Sequence, residues 1–392
     1  METTNLQAGQ AAGGCIVLVG ASVRALAFAV LRAGWSPWCV DLFADADLRA
    51  VAACQRITSE DYPYRLAEWL ACRTPKRAPV MYTGRLENHP QVLHRIHQVR
   101  PLWGNDAATV RAARDPQRLQ LALSRWNFPF ADWSYSCADI PTDGSWLVRG
   151  PRGVQRWRGQ RVAAKPAYWQ RYVAGEPASA VYVADSQHCV LLGATWQLVG
   201  VPFCQAREFQ WCGNVGPMPC SPELRTKLLR LGEGLTREFG LRGIFGVDFV
   251  LQGDMPWVTE INPRYPASLE VLELALGLSW FPMHAEVFPG GACADANPGT
   301  ELSRPLYVGK AVLFTSRPVK FRAGVLTDWA PMLTPWLTRF DVALADVPED
   351  SALISAGAPL LTVLAQAETL EACQLKLQQA AHAVYSLLEK SD

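Results

Sequence analysis

The stretch Gly246-Val247-Asp248-Phe249-Val250, followed by Trp257-Val258-Thr259-Glu260-Ile261-Asn262-Pro263-Arg264, decides how this chain is read. Phe245, Val247, Phe249 and Leu251 alternate with Gly246, Asp248 and Val250, and the turn formers Gly253, Asp254 and Pro256 come next, so the pattern predicts a β-hairpin. With residues 252–256 as its loop, Asp248 lies opposite Glu260, and Asn262 shares the face of Glu260 because strand side chains repeat every two residues. Three oxygen donors then converge among Val, Phe and Ile, where an ionised carboxylate costs on the order of several kcal/mol unless a cation or donor compensates it. A hard divalent cation meets that need, since Mg²⁺ takes oxygen ligands and commonly binds through one or two carboxylates plus phosphate oxygens. Arg264, two residues beyond Asn262, is placed to pair with a phosphate. The competing reading is an ordinary hairpin with solvated acids and a local ion pair at Arg264; acids that interrupt apolar strands, with Asn-Pro-Arg directly after, argue against it.

At 392 residues the chain exceeds one typical domain, so two to three structural units are expected. Hydrophobic residues make up 49% and charged residues 19%, a globular composition. A net charge of +1 gives no support to a nucleic-acid or membrane-surface partner. No apolar run is long enough to span a bilayer, and no basic segment with an apolar signal core opens the chain, so a cytoplasmic protein is expected. Eleven cysteines without CxxC pairs read as reduced core thiols, the evenly spaced Cys204, Cys212 and Cys220 included.

Residues 1–14, rich in Ala, Gly, Gln and Thr, read as a loose tail. Cys15 to Val19 is an unbroken apolar run of buried parallel-strand type, Gly20-Ala21-Ser22 a tight turn, and Val23 to Ala33 a helix, with a second strand at Trp38 to Val40. This βαβ unit lacks the GxGxxG pattern of dinucleotide sites. Ser22 and Arg24 at the helix start could hold an anion, or the helix is simply capped there. Asp41, Asp45 and Asp47 read as turn caps. Glu87 and Asn88 follow the strand Val80 to Thr83, at the carboxyl edge where open α/β sheets bind ligands, and are substrate-side candidates. Trp146 to Arg149 reads as a strand entering a loop over 150–159 that mixes glycines with arginines, as phosphate binding requires. Lys310, early in the strand Gly309 to Phe314, either reaches substrate or phosphate or is a surface lysine. Ser221 to Phe239 and the last twenty or so residues show helical stripes.

The string GVDFV, a short hairpin, then TEINPRYPASLE resembles the metal and phosphate segment of the ATP-grasp superfamily, which reads Asp, then Glu-x-Asn-x-Arg. The resemblance implies an α/β (α+β) ATP-grasp fold: an N-terminal α/β pre-ATP-grasp domain over 15–105, a small lobe over 106–180, and a large lobe with a C-terminal extension over 181–392. It implies ATP and Mg²⁺ as cofactors, with Asp248, Glu260 and Asn262 as metal ligands and Arg264 on phosphate. Where the superfamily carries a strand lysine before its glycine-rich loop, this chain has Arg149, which keeps the charge in a planar fork rather than a point. Tyr168 to Pro177 resembles the hinge that receives adenine and ribose, which makes Gln170, Tyr172, Val173 and Glu176 nucleotide contacts; Arg171 stands where the hinge acid is usual. Pro-Ala-Ser-Leu-Glu after the metal run resembles the substrate-side continuation, which points to Glu270.

The ending from Asp346 through the final helix resembles the carboxyl-terminal part of biotin-carboxylase-like ATP-grasp proteins, and with residues 20–25, 41–48 and 82–90 it suggests a subgroup of carboxylate–amine ligases similar to the tyramine–glutamate ligases of methanofuran and tetrahydromethanopterin assembly. The expected activity is joining a small-molecule carboxylate, activated as an acyl phosphate, to an amine of amino-acid type such as glutamate. Arg149 and Arg264 are then the catalytic candidates, and a homodimer is the commonest oligomer for such enzymes. A nucleotide-binding regulatory or assembly protein without ligase chemistry is the alternative, motivated by Arg149. A dehydrogenase built on the βαβ unit is a third reading, opposed by the missing glycine fingerprint.

Overall fold

The computed structural model describes residues 14–150, 153–162, 168–291 and 306–389. Four parallel strands form the first sheet in the order β3-β2-β1-β4: β1 (Cys15–Gly20), β2 (Ser36–Asp41), β3 (Ala53–Arg56) and β4 (Val80–Tyr82). The apolar run of β1 is continuous because both faces are covered: Ile16 and Leu18 join one core cluster, Val17 and Val19 another. The helix Arg24–Arg32 returns the chain to β2, and Gly34 at φ +74° makes the turn.

A small antiparallel sheet, ordered β5-β8-β6-β7, holds β5 (Trp133–Ser134), β6 (Trp146–Gly150), β7 (Gly153–Arg156) and β8 (Tyr168–Arg171). The glycine- and arginine-rich stretch expected as one loop over 150–159 is therefore largely not a loop. Gly150 pairs with Gly153 and Leu147 with Arg156, so a strand forms there; Pro151 and Arg152 lie outside the described residues. Alternation explains the difference, since Val154 and Arg156 can occupy one face of an antiparallel ladder.

The large sheet has eight strands in the order β13-β12-β9-β10-β11-β14-β18-β16. These are β9 (Glu176–Asp185), β10 (Cys189–Val199), β11 (Trp211–Gly216), β12 (Arg242–Gln252), β13 (Met255–Asn262), β14 (Tyr307–Phe314), β16 (Val342–Ala345) and β18 (Pro359–Ala367); β15 (Val319–Lys320) and β17 (Leu353–Ile354) form a separate ribbon. Ser221 accepts from Leu224 N–H at 3.0 Å, Pro222 opens the helix Pro222–Phe239, and Gly240 at φ +62° closes it. Its stripe Leu224, Leu228, Leu231 and Leu235 packs in one cluster with Phe245, Val247 and Phe249 of β12. The helix Leu370–Glu389 buries Cys373, Leu377, Ala381, Val384 and Leu388 against β14 and β18. Every cysteine among the described residues is a free thiol, and no helix there is long and apolar enough to cross a membrane.

Candidate active site

The three sheets wall a cavity of about 2450 Å³, wider than one small ligand fills. The predicted hairpin is one of its walls, with Asp248 of β12 opposite Glu260 of β13. The turn is shorter than expected. Gln252 pairs with Met255, so only Gly253 and Asp254 connect the strands, and the register shifts by one between Asp248 and Phe249. Thr259 is the extra residue of that bulge, and its hydroxyl donates to Asp248 O at 3.1 Å. The bulge sets the chemistry of the wall. Val258 and Ile261 both point to the core, three residues apart, which leaves Trp257, Glu260 and Asn262 for the cavity. A regular ladder would put Glu260 and Asn262 on the core face with Val258.

Around this pair the donors are few. Asn262 Nδ2 donates to Asp248 Oδ2 at 2.8 Å, and its Oδ1 accepts from Arg264 at 3.1 Å. Burial, reinforced by the Glu260 charge, pushes the Asp248 carboxyl up to about 6 even though Ser179, Arg264 and Asn262 pull the other way. Two facing carboxylates with that upward pressure fit a divalent cation. Asp248 and Glu260 would hold Mg²⁺, with Asn262 joining once its amide is turned to present oxygen. Among the described residues no group of three or more His, Cys, Asp or Glu is disposed around one metal, which suits an ion that takes its other ligands from phosphate and water.

Arg149 approaches from the small sheet. Its guanidinium donates to Gln170 Oε1 at 3.0 Å and stands 3.6 Å from Glu260 Oε2, so it spans the cavity where the strand lysine was expected. Arg264 is held by Glu87 at 2.8 Å and by the Tyr265 carbonyl at 3.1 Å, while its buried Nε has no partner among the described residues. Burial alone would raise the Glu87 carboxyl, but Arg264 holds it below its usual range. Arg114, which closes the helix Ala107–Ala113, was not foreseen; it donates to Asn88 Oδ1 at 3.2 Å and lies 4.0 Å from Glu260. Nothing in its local pattern marks it, because only the fold brings it to the cavity.

The hinge residues divide. Gln170 is buried with Nε2 unpaired among the described residues, Val173 lines the cavity, and Tyr172 lines it beneath the Arg156 guanidinium at 4.4 Å. Glu176 stands exposed at the outer end of β9, beyond the cavity wall.

Two of the substrate-side expectations, Arg24 and Glu270, are corrected. Arg24 and Glu270 are fully buried and paired to each other, with Arg24 NH2 donating to Glu270 Oε2 at 3.0 Å, so neither meets a ligand directly. An anion cannot replace carboxylates there, since Arg24 also donates to Asp346 at 3.0 Å and 3.1 Å and lies 3.5 Å from Asp47. Burial would raise the Glu270 carboxyl, yet Arg24 and Lys310 pull it down to about 2. Lys310 is not a surface lysine: it is 4% exposed and donates to Glu270 at 2.7 Å, on the cavity wall. Ser22, whose hydroxyl donates to Asp346 at 3.3 Å, and Asn88 also line the cavity.

A family model for the ATP-grasp domain matches residues 149–268, from the small-sheet arginine to the start of the helix after the hairpin. The chain carries an ATP-grasp domain, and its fold is the ATP-grasp fold. It is 28% identical over 254 residues to the formate-dependent phosphoribosylglycinamide formyltransferase of Azoarcus sp. (strain BH72), covering 62% of this chain and 58% of that one. Among solved structures it is similar to the biotin carboxylase domain of the Hydrogenobacter thermophilus 2-oxoglutarate carboxylase with MgADP and bicarbonate, at a TM-score of 0.69 and 11% identity over 93% of this chain and 89% of that one. It is likewise similar to the L-amino acid ligase of Bacillus licheniformis, at a TM-score of 0.64 and 13% identity over 94% and 97% of the two chains. At these identities the likeness to the two structures is one of fold.

Proposed function

We propose that this protein is an ATP-dependent carboxylate–amine ligase that forms a C–N bond through an acyl phosphate. The observation that carries the reading is the Asp248–Glu260 pair on a cavity wall, faced by Arg149 and flanked by Arg264. Asp248, Glu260 and Asn262 would hold Mg²⁺, which when bound supplies charge neutralisation at the ATP phosphates. Arg149 and Arg264 bring guanidinium groups to the same space, where they orient the phosphoryl group and stabilise its transferring charge. Gln170, Tyr172 and Val173 supply the wall for the nucleotide base, and Ser22, Asn88 and Lys310 face the space left for the acceptors. The amine attacks as its free base, having given its ammonium proton to water; the carbon–oxygen bond to phosphate breaks, inorganic phosphate leaves, the nitrogen's surplus proton passes to that phosphate or to water, and no side-chain nucleophile is required.

Support for the carboxylate comes from the sequence similarity to a formate-dependent transferase, while the L-amino acid ligase lends its fold alone. An amino-acid amine such as glutamate, and a place in one-carbon cofactor assembly, form the finer part of the proposal and rest on the sequence resemblance. The test is ADP release from MgATP across amino acids paired with small carboxylic acids. Release that requires both partners and is lost in Glu260→Gln supports the ligase; tight MgATP binding without release from any pair would favour a nucleotide-binding regulatory subunit.

A further inference from the structure

Five carboxyl groups, Asp41, Asp45, Asp47, Glu270 and Asp346, influence one another around the start of the helix Arg24–Arg32. Four have their compensation within the fold. Asp41 accepts the N–H groups of Val23, Phe43 and Ala44 at 2.6–2.8 Å, and Asp47 accepts those of Asp346 and Val347 at 2.9 Å and 3.2 Å. Glu270 takes Arg24 and Lys310; Asp346 takes Arg24, Ser22 and, at 2.6 Å, the Thr362 hydroxyl.

Asp45 has no such partner. It is 8% exposed, lies on the cavity wall, and among the described residues its carboxylate accepts no hydrogen bond and enters no salt bridge, although the residue sits at a helix N-cap. Burial, then the charges of Asp346, Asp41 and Asp47, hold its carboxyl well above the usual range, and Arg24 offsets this only in part. Other arginines nearby in sequence are engaged elsewhere: Arg49 with Glu349, and Arg56 with the Leu42 carbonyl. An acid that is buried, uncompensated and open to a cavity is satisfied by a cation arriving from the cavity.

We propose that Asp45, in the negative field of Asp346, binds the protonated nitrogen of the amine substrate, whose apolar body rests on Ala21, Ala25 and Phe43. The assignment rests on the ligase reading above and adds to it which face of the cavity takes the amine. An ammonium needs only one or two acceptors, whereas among the described residues no group of three or more His, Cys, Asp or Glu is disposed to hold a metal. The same acids disfavour a carboxylate beside this nitrogen, so the corner fits a simple amine better than the glutamate amine of the finer reading above.

Titration calorimetry at pH 7.5 on the full chain, with benzylamine, benzyl alcohol and benzoate as probes sharing one apolar body, tests the proposal. Benzylamine should bind at least tenfold more tightly than the alcohol, benzoate should bind more weakly still, and Asp45→Asn should erase the preference while leaving MgATP affinity unchanged. Equal affinity for amine and alcohol, preference for benzoate, displacement of benzylamine by MgCl₂ alone, or an undiminished preference in Asp45→Asn would overturn it. If Asp45→Asn does not fold, the wild-type ranking of the three probes still decides. Benzylamine selectivity without MgATP binding would sink the ligase reading and leave the subsite standing.

Discussion

Asp248 and Glu260 face each other across the β12–β13 ladder because Thr259 bulges out of it. That one displaced residue converts an apolar, core-facing alternation into a wall with two carboxylates, and it ties the proposed metal chemistry to a backbone irregularity. Glu260→Gln keeps the shape of the pair and removes one charge. MgATP-dependent ADP release should fall at least a hundredfold with the melting temperature held or raised, because a like-charge neighbour of Asp248 is gone. Unchanged turnover would refute the metal assignment.

Arg149 reaches both Gln170 and Glu260, so its loss removes charge from the nucleotide side of the cavity. Arg149→Ala should lower kcat/KM for ATP by a hundredfold or more. Arg149→Lys restores a point charge, and should recover most of that loss if charge rather than the planar fork is what the phosphates need. Equal damage by both substitutions would show that the two-pronged contact to Gln170 and Glu260 matters.

The Glu270 carboxyl lies at about 2 in the folded chain against 4.5 for a free glutamate. A depressed folded value means that the contribution to stability is present above pH 4.5 and is lost as pH falls towards 2. Glu270→Gln leaves Arg24 and Lys310 buried without their shared partner, and should cost about 3–5 kcal/mol at pH 7. Chemical denaturation at pH 7 and pH 3 should show the gap between wild type and variant narrowing in acid; a gap of constant size would refute the ion-pair account.

Phe245 is fully buried and stacks on Tyr182 with ring centroids 5.0 Å apart, in the cluster beneath the β12–β13 hairpin. Phe245→Ala should destabilise by about 3–5 kcal/mol in urea unfolding. Because Val247 and Phe249 continue the same packed row, a shift of that row would also loosen Asp248, so affinity for MgATP should fall together with stability.

The hairpin and its pairing were legible in the sequence, but by a compensating error. A five-residue loop and the observed two-residue turn with a bulge give the same opposition of Asp248 and Glu260. The bulge had a signal: Val258 and Ile261 are both apolar and sit three residues apart, which breaks the strand period of two. The first βαβ unit and the helix Pro222–Phe239 were readable because run length, caps and glycine stops agree locally. Arg24 and Glu270 were drawn to the substrate side because each sits beside a ligand-rich turn. Their true partners are distant in sequence, and local pattern carries no information about an ion pair closed by tertiary packing. Lys310 could not be decided between the cavity and the surface for the same reason, since the Glu270 that holds it is 40 residues away.

Arg24 and its partner Asp346 are separated by 322 residues, with Glu270 between them. The order of synthesis therefore has a consequence. When the first βαβ unit leaves the ribosome, Arg24 has neither of these carboxylates, and it must stay hydrated until Glu270 and then Asp346 emerge. The helix Arg24–Arg32 thus gains these two ion-pair partners only once the chain has been made as far as Asp346.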